Sequence, residues 1–133
     1  MKIHFGLLLF GGFLIAGCNP LRRIDMKNTT GDSVQIIWTL NEDSLSNNPF
    51  MLSNSKELKF TLQAPKTARI NMSFGPGSWT PTEVQKLVNR LQSLEIISAS
   101  QRIKIDSLPQ LRDYLLARRK GVGGARIEIL VSK

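Results

Sequence analysis

The chain has 133 residues, with 18 Lys and Arg against 10 Asp and Glu for a net charge of +8, and it carries one cysteine and one histidine. A single thiol excludes any disulfide within the chain. One thiol and one imidazole also fall short of the His and Cys ligand sets that zinc and copper sites usually need.

The first predicted element is not part of the fold. Met1-Lys2 gives a short positive start, and Ile3 to Ala16 is apolar apart from His4 and three glycines. This is the pattern of a secretory signal. The run from Phe5 to Ala16 is roughly 12 residues, short of the about 20 that a membrane-crossing helix requires. It ends in Ile15-Ala16-Gly17-Cys18. A branched aliphatic, a small residue, Gly or Ala, then Cys resembles the lipobox of the bacterial lipoprotein class.

That resemblance implies cleavage between Gly17 and Cys18, and an acylated Cys18 whose partner is membrane lipid. One acyl chain holds a protein only marginally, so the two or three chains of that class are what make such an anchor stable. In the sorting logic of the class, Asn19 rather than Asp after the cysteine leans toward the outer membrane, facing the periplasm. The expected organisation is a signal peptide over 1–17, a lipidated tether over 18–22 and one domain over 23–133.

Removing Lys2 and His4 leaves 17 Lys and Arg against 10 acids, +7, and no histidine. Ser-His-Asp and Cys-His arrangements are then excluded. What remains is chemistry by carboxylates, Lys or Tyr, or none.

Arg22-Arg23 follows the tether and is read either as two cations resting on anionic headgroups or as two solvated residues at a strand start. Beyond it the apolar period is two. Ile24 and Met26 mark a short strand before "NTTGD", and Val34, Ile36, Trp38 and Leu40 mark the next. The Gly31 turn is expected to fold one back on the other as a hairpin. Leu58, Phe60 and Leu62 alternate, as do Ala68, Ile70, Met72 and Phe74, with "QAPKT" at 63–67 as a second corner.

At Trp79 the period changes. Thr80-Pro81-Thr82-Glu83 reads as a capping box, with Trp79 and Val84 spaced for a hydrophobic staple. Val84, Leu87, Val88 and Leu91 form the apolar stripe of an amphipathic helix reaching about Gln92. Leu94–Ile96 and Ile103–Ile105 read as paired short strands around "SASQ". A second capping box at Ser107–Gln110 opens a helix with Leu111, Tyr114 and Leu115 inward, ending at Gly121. Ala125, Ile127, Ile129 and Val131 close the chain as a strand.

The fold class is therefore α+β, with mainly antiparallel sheet and two amphipathic helices. No strand is a continuous apolar run, which disfavours a doubly wound parallel sheet. From about residue 67 the order strand, helix, strand, strand, helix, strand matches a ferredoxin-like βαββαβ unit preceded by the hairpin strands.

Three stretches are candidates for function. "LARRKGVGGAR", residues 116–126, offers Arg118, Arg119 and Lys120 as anion ligands. Its glycines follow a helix instead of preceding one, unlike a phosphate loop, and a helix end complemented by cations and capped by Gly121 is the favoured reading. "SFGPGSWTP", residues 73–81, is a strand-to-helix loop offering Trp79 as a partner contact, although the staple already accounts for it. Phe50, Met51 and Leu52 form an apolar trio in a polar loop and are the other candidate partner contacts if exposed, with a fold-back onto the core the favoured reading.

No metal site is expected. "NEDS", residues 41–44, lacks the alternating acids and terminal Glu of a calcium loop. No cofactor is expected. Nucleic acid is not expected as a partner of an exported, membrane-tethered domain, and no interleaving of basic and aromatic residues supports it.

The leading expectation is a lipid-anchored, non-enzymatic envelope module that binds an envelope protein or an anionic polymer, or serves as an accessory piece of an assembly. The competing classes are a carboxylate enzyme acting on cell-wall glycans and a polyanion or lipopolysaccharide binder.

Overall fold

The computed structural model describes residues 20–41, 55–63 and 68–133. The signal segment, Cys18, the apolar trio at 50–52 and most of the 63–67 corner lie outside them. The fold is α+β, with two four-stranded sheets and two helices among the described residues.

The first sheet runs β4 (Ala68–Pro76), β1 (Leu21–Asn28), β8 (Arg126–Val131) and β7 (Arg119–Lys120). The second runs β3 (Glu57–Leu62), β2 (Val34–Leu40), β5 (Leu91–Ile97) and β6 (Arg102–Ile105). All pairings are antiparallel except β1 with β8, which is parallel and sets Arg23 beside Arg126 and Asp25 beside Glu128. Helix α1 is Pro81–Val88, α2 is Leu108–Leu116, and a 3-10 turn covers Val122–Gly124.

The alternating residues supply the core. Ile24, Met26, Ile127 and Ile129 from the first sheet join Ile36, Trp38, Leu40 and Leu94 from the second. Val84, Val88, Leu111 and Leu115 of the helices complete one buried cluster. Each such side chain contributes about 1.5–3 kcal/mol by leaving water.

The pairing departs from the sequence expectation in two places. Strands β1 and β2 are not a hairpin; they lie in different sheets. The corner between them is built around buried Asn28. Its Nδ2 donates to the carbonyls of Asp32 (2.7 Å) and Leu62 (3.0 Å), and its Oδ1 accepts from the Thr30 N–H and hydroxyl. One amide thus ties the end of β1 to β3 of the other sheet, a sheet-to-sheet corner.

The ferredoxin-like arrangement is not formed either. That unit would place β4, β5, β6 and β8 in one sheet. Here β1 inserts between β4 and β8, while β5 pairs with β2 and carries β6 on its other edge.

Helix ends differ from the pattern for local reasons. Helix α1 stops at Val88, because the N–H of Asn41 reaches the Arg90 carbonyl at 3.0 Å and Leu91 enters β5 opposite Leu40. Only half of the first capping box forms. The Thr80 hydroxyl accepts from the Glu83 N–H at 3.2 Å, but the Glu83 carboxylate turns to Arg22 and Lys86. At α2, Ser107 makes no side-chain cap bond. That helix ends at Leu116 with Ala117 as its cap, so Arg118, Arg119 and Lys120 lie beyond it and Gly121 does not terminate it. Among the described residues, no helix is long and apolar enough to cross a membrane.

Candidate functional site

Three stretches separated in sequence meet at one end of the first sheet. They are the chain entry at Pro20–Arg23, the loop from Gly75 to Thr80, and the glycine turn at 121–125. Backbone bonds lock them together. The Gly77 N–H donates to the Pro20 carbonyl at 2.8 Å, the Trp79 N–H to the Gly124 carbonyl at 3.0 Å, and the Arg23 N–H to the Ala125 carbonyl at 2.9 Å. Gly123, at φ 67°, lets the turn pass so close to the neighbouring loop that a Cβ there would sit 3.2 Å from the Ser78 Oγ.

Trp79 is the hub of this end. Its indole N–H donates to the Arg23 carbonyl at 3.0 Å, and its own carbonyl accepts from Arg119 at 3.2 Å. Phe74 meets its ring edge-on at 5.1 Å, and the Arg22 guanidinium lies 5.2 Å from the ring centre. Being 2% exposed, Trp79 offers no surface to a partner, which corrects its reading as a contact residue. It is the post around which the end is assembled.

Arg22 spans the joint, donating to Glu83 at 2.6 Å and to the Phe74 carbonyl at 2.9 Å. Glu83 is held below the ordinary carboxylate range, first by the Lys86 hydrogen bond and further by Arg22. Together with Leu87 and Arg90, these groups line a cleft of about 260 Å³ beside α1.

The run Arg118-Arg119-Lys120 is not brought to one point. Arg118 stacks 3.4 Å from the centre of the Tyr114 ring and donates to the Tyr114 carbonyl. Arg119 donates to the carbonyls of Leu116 and Trp79. Lys120, on the opposite side of β7, reaches Glu128 at 3.2 Å. The first two do answer the free carbonyls of a helix end, as the dipole argument anticipates, but from just past it.

Residues missed by sequence reasoning complete the end. Val122 stands 89% exposed at the tip of the glycine turn, and Leu21 is 55% exposed. Both line a shallow hollow of about 330 Å³ with Pro20, Arg23, Ala125 and Arg126. The available signal was a lone valine between glycines in "GVGG", with no periodic partner to pack against.

The parallel register of the first sheet sets two carboxylates side by side, Asp25 and Glu128. Asp25, 1% exposed, is bound by Arg69 at 2.5 Å and approached by Arg126 at 3.6 Å. Glu128 is held below the ordinary range chiefly by its hydrogen bond from Lys120. A general acid needs the opposite, a raised pKa. Among the described residues, no group of three or more His, Cys, Asp or Glu is placed to hold a metal. Gly17, Cys18, Phe50, Met51 and Leu52 lie outside the described residues. Comparison with family models, with curated proteins and with solved structures finds no match to this chain.

Proposed function

We propose that this chain is a lipid-anchored module of the bacterial cell envelope, held through acylated Cys18 at the outer membrane facing the periplasm. Its domain acts by binding an envelope protein or polymer, as an accessory piece, and not by catalysis. The observation that carries this reading is the position of Pro20. Its carbonyl accepts from the Gly77 N–H at 2.8 Å, so the domain holds the chain at a point two residues along the sequence from Cys18. An anchor at Cys18 has almost no linker, and it holds the Trp79 end against the bilayer.

The acids support binding over turnover. Asp25 and Glu128 are neighbours, yet each is engaged by a cation, and Glu83 is engaged by two. Glu83 and Glu128, both held below the ordinary carboxylate range by their cations, remain ionised near neutrality and are poor proton donors. The anchor is tested by Cys18→Ser in cells. The variant is expected to lose acyl label and to leave the detergent phase, and unchanged partitioning with retained label would overturn the reading.

A further inference from the structure

We propose that the end carrying Leu21 and Val122 is a lipid-docking face. The two apolar side chains enter the headgroup boundary of the bilayer, and Arg23 rests on anionic phosphates, with Arg126, which also faces Asp25 and Glu128, beside it. This rests on the anchor reading above and adds a second, non-covalent contact with the same membrane.

Four observations converge. Val122 and Leu21 are large apolar groups left in water on one hollow, an arrangement that marks interaction surfaces when rimmed by polar groups. The turn that raises Val122 is braced: the Gly124 N–H donates to the Gly121 carbonyl, and the Gly124 carbonyl takes the Trp79 N–H. The side chain is therefore presented to solvent on a backbone-bonded turn. The hollow is lined by two cations, Arg23 and Arg126, and by no acid. Among the described residues, no acid pairs with Arg23.

The fourth is reach. Pro20 lies two residues from Cys18, and two extended residues span at most about 7 Å. The acyl attachment would thus hold Leu21 and its neighbours at the depth of the headgroups. That favours a lipid surface over a soluble partner. Cations near an anionic leaflet each add to binding, and shallow apolar insertion beside acyl chains is the combination that makes peripheral contacts stable. Docking two points, the acyl chains and the Val122 tip, also fixes the tilt of the domain.

The test uses the acylated full chain, purified from membranes, with a dye on Val122→Cys or, two residues past the far end of β8, on Lys133→Cys. Proteoliposomes are made of phosphatidylcholine alone or mixed with phosphatidylglycerol, with bromine-bearing lipids as quenchers. Acylation of Cys18 leaves the introduced thiol as the labelling site. The dye at 122 is expected to be quenched well above that at 133, more so with phosphatidylglycerol, and less in high salt. Arg23→Ala should weaken the phosphatidylglycerol-dependent part about fivefold.

One dye per chain with equal, weak quenching at 122 and 133 in both vesicles would overturn docking alone and leave this face to a protein partner. Quenching at 122 that ignores phosphatidylglycerol and salt would overturn the role of the cations. Two dyes per chain would mean that Cys18 is free, which overturns the anchor and the docking with it.

Discussion

The indole of Trp79 donates to the main-chain carbonyl of Arg23, 56 positions earlier in the chain, at 3.0 Å. This bond, with the Trp79 N–H to Gly124, makes one buried side chain the fastener of three segments. Trp79→Ala is expected to destabilise the protein by about 3–5 kcal/mol, as for large buried aromatics. Trp79→Phe should cost less, about 1–3 kcal/mol, from the orphaned carbonyl and lost volume. Urea unfolding measures both. A Phe variant as stable as the parent would show that the Arg23 carbonyl finds water.

Steric fit at the glycine turn gives an independent check. Gly123→Ala places a Cβ 3.2 Å from the Ser78 Oγ at a φ of 67°, at a cost of about 1–2 kcal/mol for the backbone conformation alone. Adding Ser78→Ala should recover the steric part and leave the conformational part. Strict additivity of the two substitutions would refute the contact.

Acid sensitivity follows from the paired carboxylates. Glu83 is lowered from its ordinary 4.5, chiefly by Lys86, and Glu128 is lowered from the same value, chiefly by Lys120. Folded-state values below the unfolded ones mean that this stability is present above pH 4.5 and is lost as pH falls through the folded values. The melting temperature should therefore drop as pH is taken below about 4.5. In Glu83→Gln/Glu128→Gln the drop should be shallower, and an identical slope would assign acid sensitivity to other groups.

Much of this architecture is legible in the chain, because alternation is a local property. The buried faces of β2, β4 and β8 and the stripe of α1 follow from their periods. Which strands pair is not local. The exchange of sheets after β1 depends on Asn28 finding the Leu62 carbonyl, 34 positions away, and no short-range pattern encodes that meeting.

The site has the same character. Arg22-Arg23, the Trp79 loop and the glycine turn are each conspicuous in sequence, but their convergence follows from the parallel register that sets Arg23 beside Arg126. Leu91 misled for a simpler reason. It satisfies the helical stripe of α1 and the core face of β5 equally, and the strand pairing opposite Leu40 decides.

Asn28 itself offers the sharpest test of the sheet-to-sheet corner. It is buried, and its amide serves four partners: two carbonyls as donor, and one N–H and one hydroxyl as acceptor. Asn28→Ala would orphan groups on β3 and in the turn, at about 1–3 kcal/mol for each that water cannot reach, and should lower stability by about 2–4 kcal/mol in urea unfolding. Asn28→Asp keeps the size and the acceptor but sets a carboxylate against the carbonyls of Asp32 and Leu62. It should therefore fall below the parent at neutral pH and recover partly on acidification, as protonation restores a donor. That pH response runs opposite to the response of the parent. An Asp variant that instead loses stability in acid as the parent does would mean that the corner is held by the Gly31 turn and not by the amide.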